Sequence, residues 1–338
     1  MGYCLTPEGM DGLLEEWAKK YTVYAPKLFP GSNTFSDTDI VRYAPVTKAA
    51  EIVFDKRSDY SYKEVLTPLS ETLFYYTEEE TKEPIHEEKG AIVFLRACDL
   101  NAVSRLDAIF LKQNGEDVYY AKRRANTKFV LMGCSEAFDG CFCVDMGASM
   151  SDAYDAAVNF DGARYHVDNK TAEWDPILKT VSEAEEDVTP DHAETTKTRV
   201  HVPENLDDRI AKSTVWDEYD KRCINCGRCT LVCPTCTCFT VQDIAYTDNG
   251  KAGERRRVNA SCMIDGYTDV AGGGSYRRKN GQRMRFKVLH KVFHFKKRTG
   301  FHMCVGCGRC DAICPEYISY SDCVNRLGDA MKEVADNE

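Results

Sequence analysis

Eight cysteines fall into two runs with one spacing, Cys223-x2-Cys226-x2-Cys229-x3-Cys233-Pro234 and Cys304-x2-Cys307-x2-Cys310-x3-Cys314-Pro315. Thiolates are soft ligands, and three of them at two-residue intervals wrap a tight loop round one iron–sulfur cube. A fourth, carried past the turn, ligates the other cube in two-cluster ferredoxins. The spacing therefore predicts two [4Fe-4S] clusters, the first held by Cys223, Cys226, Cys229 and Cys314, the second by Cys304, Cys307, Cys310 and Cys233. Gly227, Gly306 and Gly308 suit such loops, where backbone amides must approach sulfur closely. A pair of zinc sites is the rival chemistry, but zinc modules usually take their cysteines as two C-x2-C pairs well apart. Cys236 and Cys238 extend the first run and read either as thiols beside the first cluster or as small buried hydrophobes.

A second constellation is less regular. Cys98 ends the apolar run "GAIVFL" in "FLRACDL", and Cys134, Cys141 and Cys143 follow the apolar run "TKFVLMG" in "GCSEAFDGCFC". Both runs read as buried strands of a parallel sheet, whose ligands bind beyond the carboxyl ends of the strands. Four thiolates delivered to one crevice are enough for a third [4Fe-4S] cluster; a four-cysteine zinc site and purely structural cysteines are the alternatives. Cys4, Cys262 and Cys323 have no partners at metal spacing and read as ordinary thiols. His290 and His294, at i,i+4 in "VLHKVFHF", read as a packed or interface pair in preference to metal ligands.

The elements that must position these residues follow from periodicity. Residues 7 to 20 predict an amphipathic helix and "YTVYAP" a short strand. Asp99 is placed to cap a helix that puts Leu100, Val103, Leu106, Ile109 and Phe110 on one face. The expected fold is an α/β N-terminal domain with a parallel sheet at residues 1–205, followed by a mainly α-helical dicluster ferredoxin-like domain at 206–338. The polar stretch from about 168 to 210 marks the boundary, and residues 251–298 form a basic insertion between the two motifs, with a flexible tip in "AGGGSYRRKNGQ". Crossed ligation requires the fold to bring the two motifs side by side across that insertion.

Composition limits the function. A net charge of −10 argues against general nucleic-acid binding, although Lys251 to Arg298 carry fourteen Lys/Arg against Glu254, Asp265 and Asp269. Such a patch, interspersed with Tyr276, Met284, Phe286, Phe293 and Phe295, suits docking of an acidic partner. The seventeen cysteines are odd in number and clustered, which fits a reducing compartment better than a disulfide framework. The first residues form no signal peptide and no window approaches a membrane span, so a cytoplasmic location is expected. No G-x-G-x-x-G follows a strand, and no Walker lysine or nucleophile elbow is present, which predicts no flavin or nicotinamide on this chain. Clusters without a substrate site point to a conductor of electrons whose chemistry lies on partner subunits.

The segments "CINCGRCTLVCPTCTCF", "CVGCGRCDAICPEYISY", "RACDL" and "CFCVDMG" resemble the iron–sulfur electron-transfer subunit of anaerobic sulfite reductase, a relative of the iron–sulfur β subunits of sulfhydrogenases and sulfur reductases. The resemblance covers nearly the whole chain. It implies a relay between a flavin subunit that oxidises NAD(P)H and a sirohaem subunit that reduces sulfite to sulfide. It also implies the same cluster ligands, with Cys98, Cys134, Cys141 and Cys143 carried over less directly. Ala97 departs from the proline expected in many related β subunits. An electron-transfer β subunit of a sulfhydrogenase or polysulfide reductase is the alternative, and nickel without sirohaem in the purified complex would distinguish it.

Overall fold

The computed structural model describes residues 2–336 apart from 34–35, 85–88 and 114. Strand β1 (Gly2–Leu5) leads into helix α1 (Pro7–Trp17), whose first turn is capped by the Thr6 hydroxyl accepting from the Gly9 amide. Met10, Leu13, Leu14 and Trp17 form the buried face of α1, each contributing about 1.5–3 kcal/mol relative to exposure. Strands β2 (Tyr21–Phe29), β3 (Ile40–Pro45), β4 (Ser70–Tyr76), β5 (Thr81–Lys82), β6 (Gly90–Leu95) and β7 (Thr127–Met132) come next. They are followed by β8 (Ala156–Phe160), β9 (Tyr165–Asn169), β10 (Ala184–Glu186), β11 (Phe239–Ala245) and β12 (Gly253–Asn259).

The main sheet has eight strands in the order β10-β1-β9-β8-β7-β6-β2-β3. Its middle is parallel: β2 pairs with β6, β6 with β7 and β7 with β8. The flanks are antiparallel, so the sheet is mixed where the sequence predicts a parallel one. The reason lies in chain length: β8 and β9 are joined by a short turn at residues 161–164, too short for the crossover that parallel pairing needs. The runs around 90–95 and 127–132 are the adjacent central strands, buried on both faces, with Ala91 facing Thr127 and Leu95 facing Leu131. The polar stretch after residue 168 is partly structured, because β10 closes the sheet edge against β1.

The C-terminal region is not built from helices alone. β11 and β12 form a hairpin, and β12 pairs with β4 of the N-terminal region to give a second sheet of order β11-β12-β4-β5. Arg257 on β12 is buried against the Glu71 carboxylate of β4, donating from Nε at 2.6 Å. After a small ribbon, Asp269–Val270 paired with Gly274–Ser275, the helix Asn280–Leu289 runs through a wider π turn at His290–His294 into the helix Phe295–Thr299. The expected basic insertion therefore supplies strand β12 and a long helix that pack into the body of the protein, with a largely exposed segment at 271–279 between them. Among the described residues no helix is long and apolar enough to cross a membrane.

Candidate metal centres

Each motif folds as a loop entering a short helix. Gly227 and Gly308 precede the helices Arg228–Leu231 and Arg309–Ala312 with φ of +73° and +68°. A Cβ on Gly306 or Gly308 would lie 2.5 Å or less from backbone atoms of Phe142 or Gly140, so glycine is required by space as well as by conformation. The loops line two adjoining cavities. Cys223, Cys226, Cys229 and Cys314 surround the first, and Cys233, Cys304, Cys307 and Cys310 surround the second. Cys314 thus lines the cavity of the first motif and Cys233 that of the second. Cys229, Cys310, Lys287 and Tyr320 touch both cavities and form the wall between them.

The donor set discriminates between a cube and zinc. Four thiolates on one zinc ion, with Zn–S of about 2.3 Å, stand about 3.8 Å from one another. Among the described residues, none of the motif cysteines forms a trio of donors mutually within 4.8 Å. Thiols spaced in this way suit separate corners of a cube better than the shell of a single ion. Burial pushes the Cys304 thiol up to about 12 and the Cys310 thiol well above its ordinary value. Such thiols are inert until a metal replaces their protons. When bound, a [4Fe-4S] cube accepts and releases one electron at a time.

Two lysines from the stretch whose composition predicts a basic surface point inward. Lys287 and Lys291 are buried, at 4% and 3% exposure. Burial opposes the Lys287 ammonium, but the sulfurs of Cys229 and Cys310 outweigh it and hold its pKa above the ordinary lysine value. Lys291 donates to the Thr235 hydroxyl at 2.7 Å and stands near Cys233 and Cys304. Lys63, from the N-terminal region, donates to the carbonyls of Thr230 and Cys236 at 3.1 and 3.2 Å. The signal for inward lysines lies in "KVLHKVFHF", where Lys287 and Lys291 at i,i+4 are interleaved with Val288, Leu289 and Val292. The histidines of that run are packed instead: the His290 ring stacks on Phe286, and His294 lies 3.7 Å from Asp208. Burial beside Lys291 and Arg298 pushes the His290 pKa down to about 4.

Cys98 and Cys134 follow the carboxyl ends of the neighbouring parallel strands β6 and β7, as the sheet argument requires. Cys98 occupies the second position of the helix Ala97–Asp107, and burial raises its pKa well above the usual thiol value. Burial also pushes Cys143 up to about 12, with Cys141, Cys134 and Cys307 adding to the effect. The loop carrying Cys141 and Cys143 is packed directly on the second motif. Its Phe142 amide donates to the Gly306 carbonyl at 2.8 Å, and Cys141 Sγ lies 3.5 Å from the Cys307 carbonyl oxygen. Arg57 closes the junction, donating to the carbonyls of Cys307 and Asp139 at 2.8 and 3.1 Å.

The remaining cysteines separate. Cys236 is a buried neighbour of Cys233, and Cys238 pairs with Cys262, so Cys262 has a thiol partner that spacing does not reveal. Cys323 donates to the Tyr219 hydroxyl at 2.7 Å. Cys4 lies on β1 of the main sheet.

Comparison with known proteins agrees with this geometry at the level of the cluster domain. The family model of the 4Fe-4S dicluster domain matches residues 222–318, a span that contains all eight motif cysteines. The β subunit of sulfhydrogenase 2 from Pyrococcus furiosus is 27% identical over 342 residues, which cover 93% of this chain and 99% of that one. No solved structure matches the chain. The chain is an iron–sulfur protein related along nearly its whole length to a sulfhydrogenase β subunit.

Proposed function

We propose that this chain is the iron–sulfur electron-transfer subunit of a multisubunit oxidoreductase of the sulfhydrogenase type, passing single electrons between a flavin partner linked to NAD(P)H and a second partner that carries the terminal reaction. The observation that supports this reading best is the pair of adjoining cavities with crossed cysteines, sharing one wall. Cys223, Cys226, Cys229 and Cys314 would hold the first cube, Cys304, Cys307, Cys310 and Cys233 the second, and Cys98, Cys134, Cys141 and Cys143 a third. Lys287 and Lys291 offset the negative charge that four thiolates bring to each buried site. Phe142, Val305 and Tyr320 keep water from the second cavity.

The packing suggests a direction. The Cys141–Cys143 loop abuts the second cavity, which adjoins the first, and the first opens to solvent at exposed Cys226, Ile224 and Tyr317. Beside that opening Asn280 donates to the Cys223 carbonyl at 2.6 Å, so the exposed Arg278 and Lys279 sit at its rim. The path runs from the α/β region through the second site to the first, where an acidic partner docks.

A role in a sulfite reductase is the second reading. Ala97, at the first position of its helix, where proline would be tolerated but is absent, leaves the branch open. The complex isolated anaerobically around the tagged chain decides between them. Nickel without sirohaem supports the sulfhydrogenase type, whereas a sirohaem absorption band transfers the chain to the sulfite reductase branch. Zinc in place of iron and acid-labile sulfide would refute both.

A further inference from the structure

At the far edge of the main sheet, strands β10, β1 and β9 lie side by side. Cys4 on β1 faces His166 directly across the β1–β9 pair. Across the β1–β10 pair Cys4 faces Ala184, and Glu186 stands two residues further along β10, opposite Gly2. Side chains alternate with a period of two, so Cys4, His166 and Glu186 emerge on the same face of three consecutive strands. Gly2 leaves no room for a Cβ, which would lie 2.3 Å from the Glu186 carbonyl, and its bare backbone lets β10 approach closely. This is the one trio of metal-ligating donors mutually within 4.8 Å among the described residues.

We propose that Cys4, His166 and Glu186 bind a single zinc-class divalent cation, separate from the iron–sulfur sites. Thiolate, imidazole and carboxylate are all ordinary zinc ligands, and one thiolate with one carboxylate neutralises the ion's two charges. The imidazole is already oriented. His166 Nδ1 lies 2.6 Å from Glu186 Oε1, while Nε2 lies 3.2 Å from Asp161 Oδ2. With the ion bound in place of the Nδ1 proton, Asp161 would accept the far N–H and leave the Nδ1 lone pair to the metal beside Cys4 and Glu186, the arrangement in which a second carboxylate fixes a ligand histidine. Cys4 is buried at the floor, and the half-buried His166 and Glu186 leave a mouth through which the ion enters. The nearby Arg164 is held by Glu183 at 2.7 Å, which keeps its charge occupied outside the trio. Three protein ligands leave a fourth position to water, and the bound ion staples the four-residue β1 to both neighbours.

The competing arrangement fills the site with a proton, His166 being an imidazolium between two carboxylates. The two are separated by dialysing the anaerobically purified holoprotein against Zn²⁺ and measuring zinc, iron and the zinc K-edge X-ray absorption of the retained metal, an edge to which iron is silent. The proposal expects about one zinc per chain, with a single sulfur at about 2.3 Å and nitrogen or oxygen at about 2.0–2.2 Å. Cys4→Ser should remove the sulfur shell, and Asp161→Asn should weaken binding by about 10–100-fold, both with iron content unchanged. Failure of the iron-replete wild type to retain zinc would overturn the proposal. So would a zinc shell containing several sulfurs, or binding by Cys4→Ser that matches the wild type.

Discussion

Arg309 donates two guanidinium nitrogens to the two carboxylate oxygens of Asp99, at 2.6 and 2.7 Å, with both side chains fully buried. The pair spans 210 residues and joins the neighbour of Cys310 to the neighbour of Cys98. Asp99 does not cap its helix, as its place in the sequence predicts. Instead the helix starts at Ala97 after Arg96, and the Asp99 carboxylate, within the first turn, serves the interface between the second motif and the α/β region. Arg309 also donates to the Ser58 carbonyl and to the Ser58 hydroxyl, each at 2.9 Å.

Removing one partner of that pair leaves the other charge buried alone. Asp99→Asn or Arg309→Met should lower stability by about 3–5 kcal/mol, read as an earlier urea midpoint under anaerobic conditions. A change below about 1 kcal/mol would mean that water already reaches the pair.

Lys287 lies in the wall common to both cavities. A positive charge there favours the reduced, more negative state of either cluster. Lys287→Met should therefore lower both reduction potentials on the order of 50–100 mV, for one unit charge at an effective dielectric constant of about 20. Redox titration followed by electron paramagnetic resonance measures both, and a shift in neither would show that the ammonium is screened.

Crossed ligation has its own signature. Cys233→Ala should damage the cluster whose other ligands are Cys304, Cys307 and Cys310, leaving the resonance of the sequence-local cluster in place. Loss confined to the cluster of Cys223, Cys226 and Cys229 would reverse the assignment.

The exposed rim of the first cavity is electrostatic. Arg277 is packed over the Phe286 ring at 3.6 Å, which leaves Arg278 and Lys279 as the charges a partner meets. Arg278→Glu with Lys279→Glu should slow electron exchange within the complex about tenfold or more at low salt and flatten its salt dependence, with iron content unchanged. Unaltered exchange and salt response would place the docking surface elsewhere.

The parts of the site that are legible in the sequence are those set by local spacing. The two four-cysteine runs, their glycines and the strands ending near Cys98 and Cys134 need only short-range geometry, so residue order reveals them. What escapes depends on pairing at long range. β12 finds β4 across more than half the chain, which a local pattern does not encode. The same holds for the charge of the 251–298 segment. Counted by sequence it suggests one basic surface, yet Arg257, Arg283, Lys287 and Lys291 are buried against carboxylates and thiols. The sequence reading extends the parallel sheet too far for a similar reason, because the antiparallel pairing of the flanking strands β1, β9 and β10 brings together segments from both ends of the N-terminal region.

A relay of three cubes on one chain is the central claim, and iron with acid-labile sulfide per chain after anaerobic reconstitution tests it most directly. The wild type should hold about twelve of each, four per cube, falling to about eight when Cys98, Cys134, Cys141 and Cys143 are all changed to Ser. A wild-type chain that saturates at about eight irons, or that carries zinc without sulfide, would contradict it.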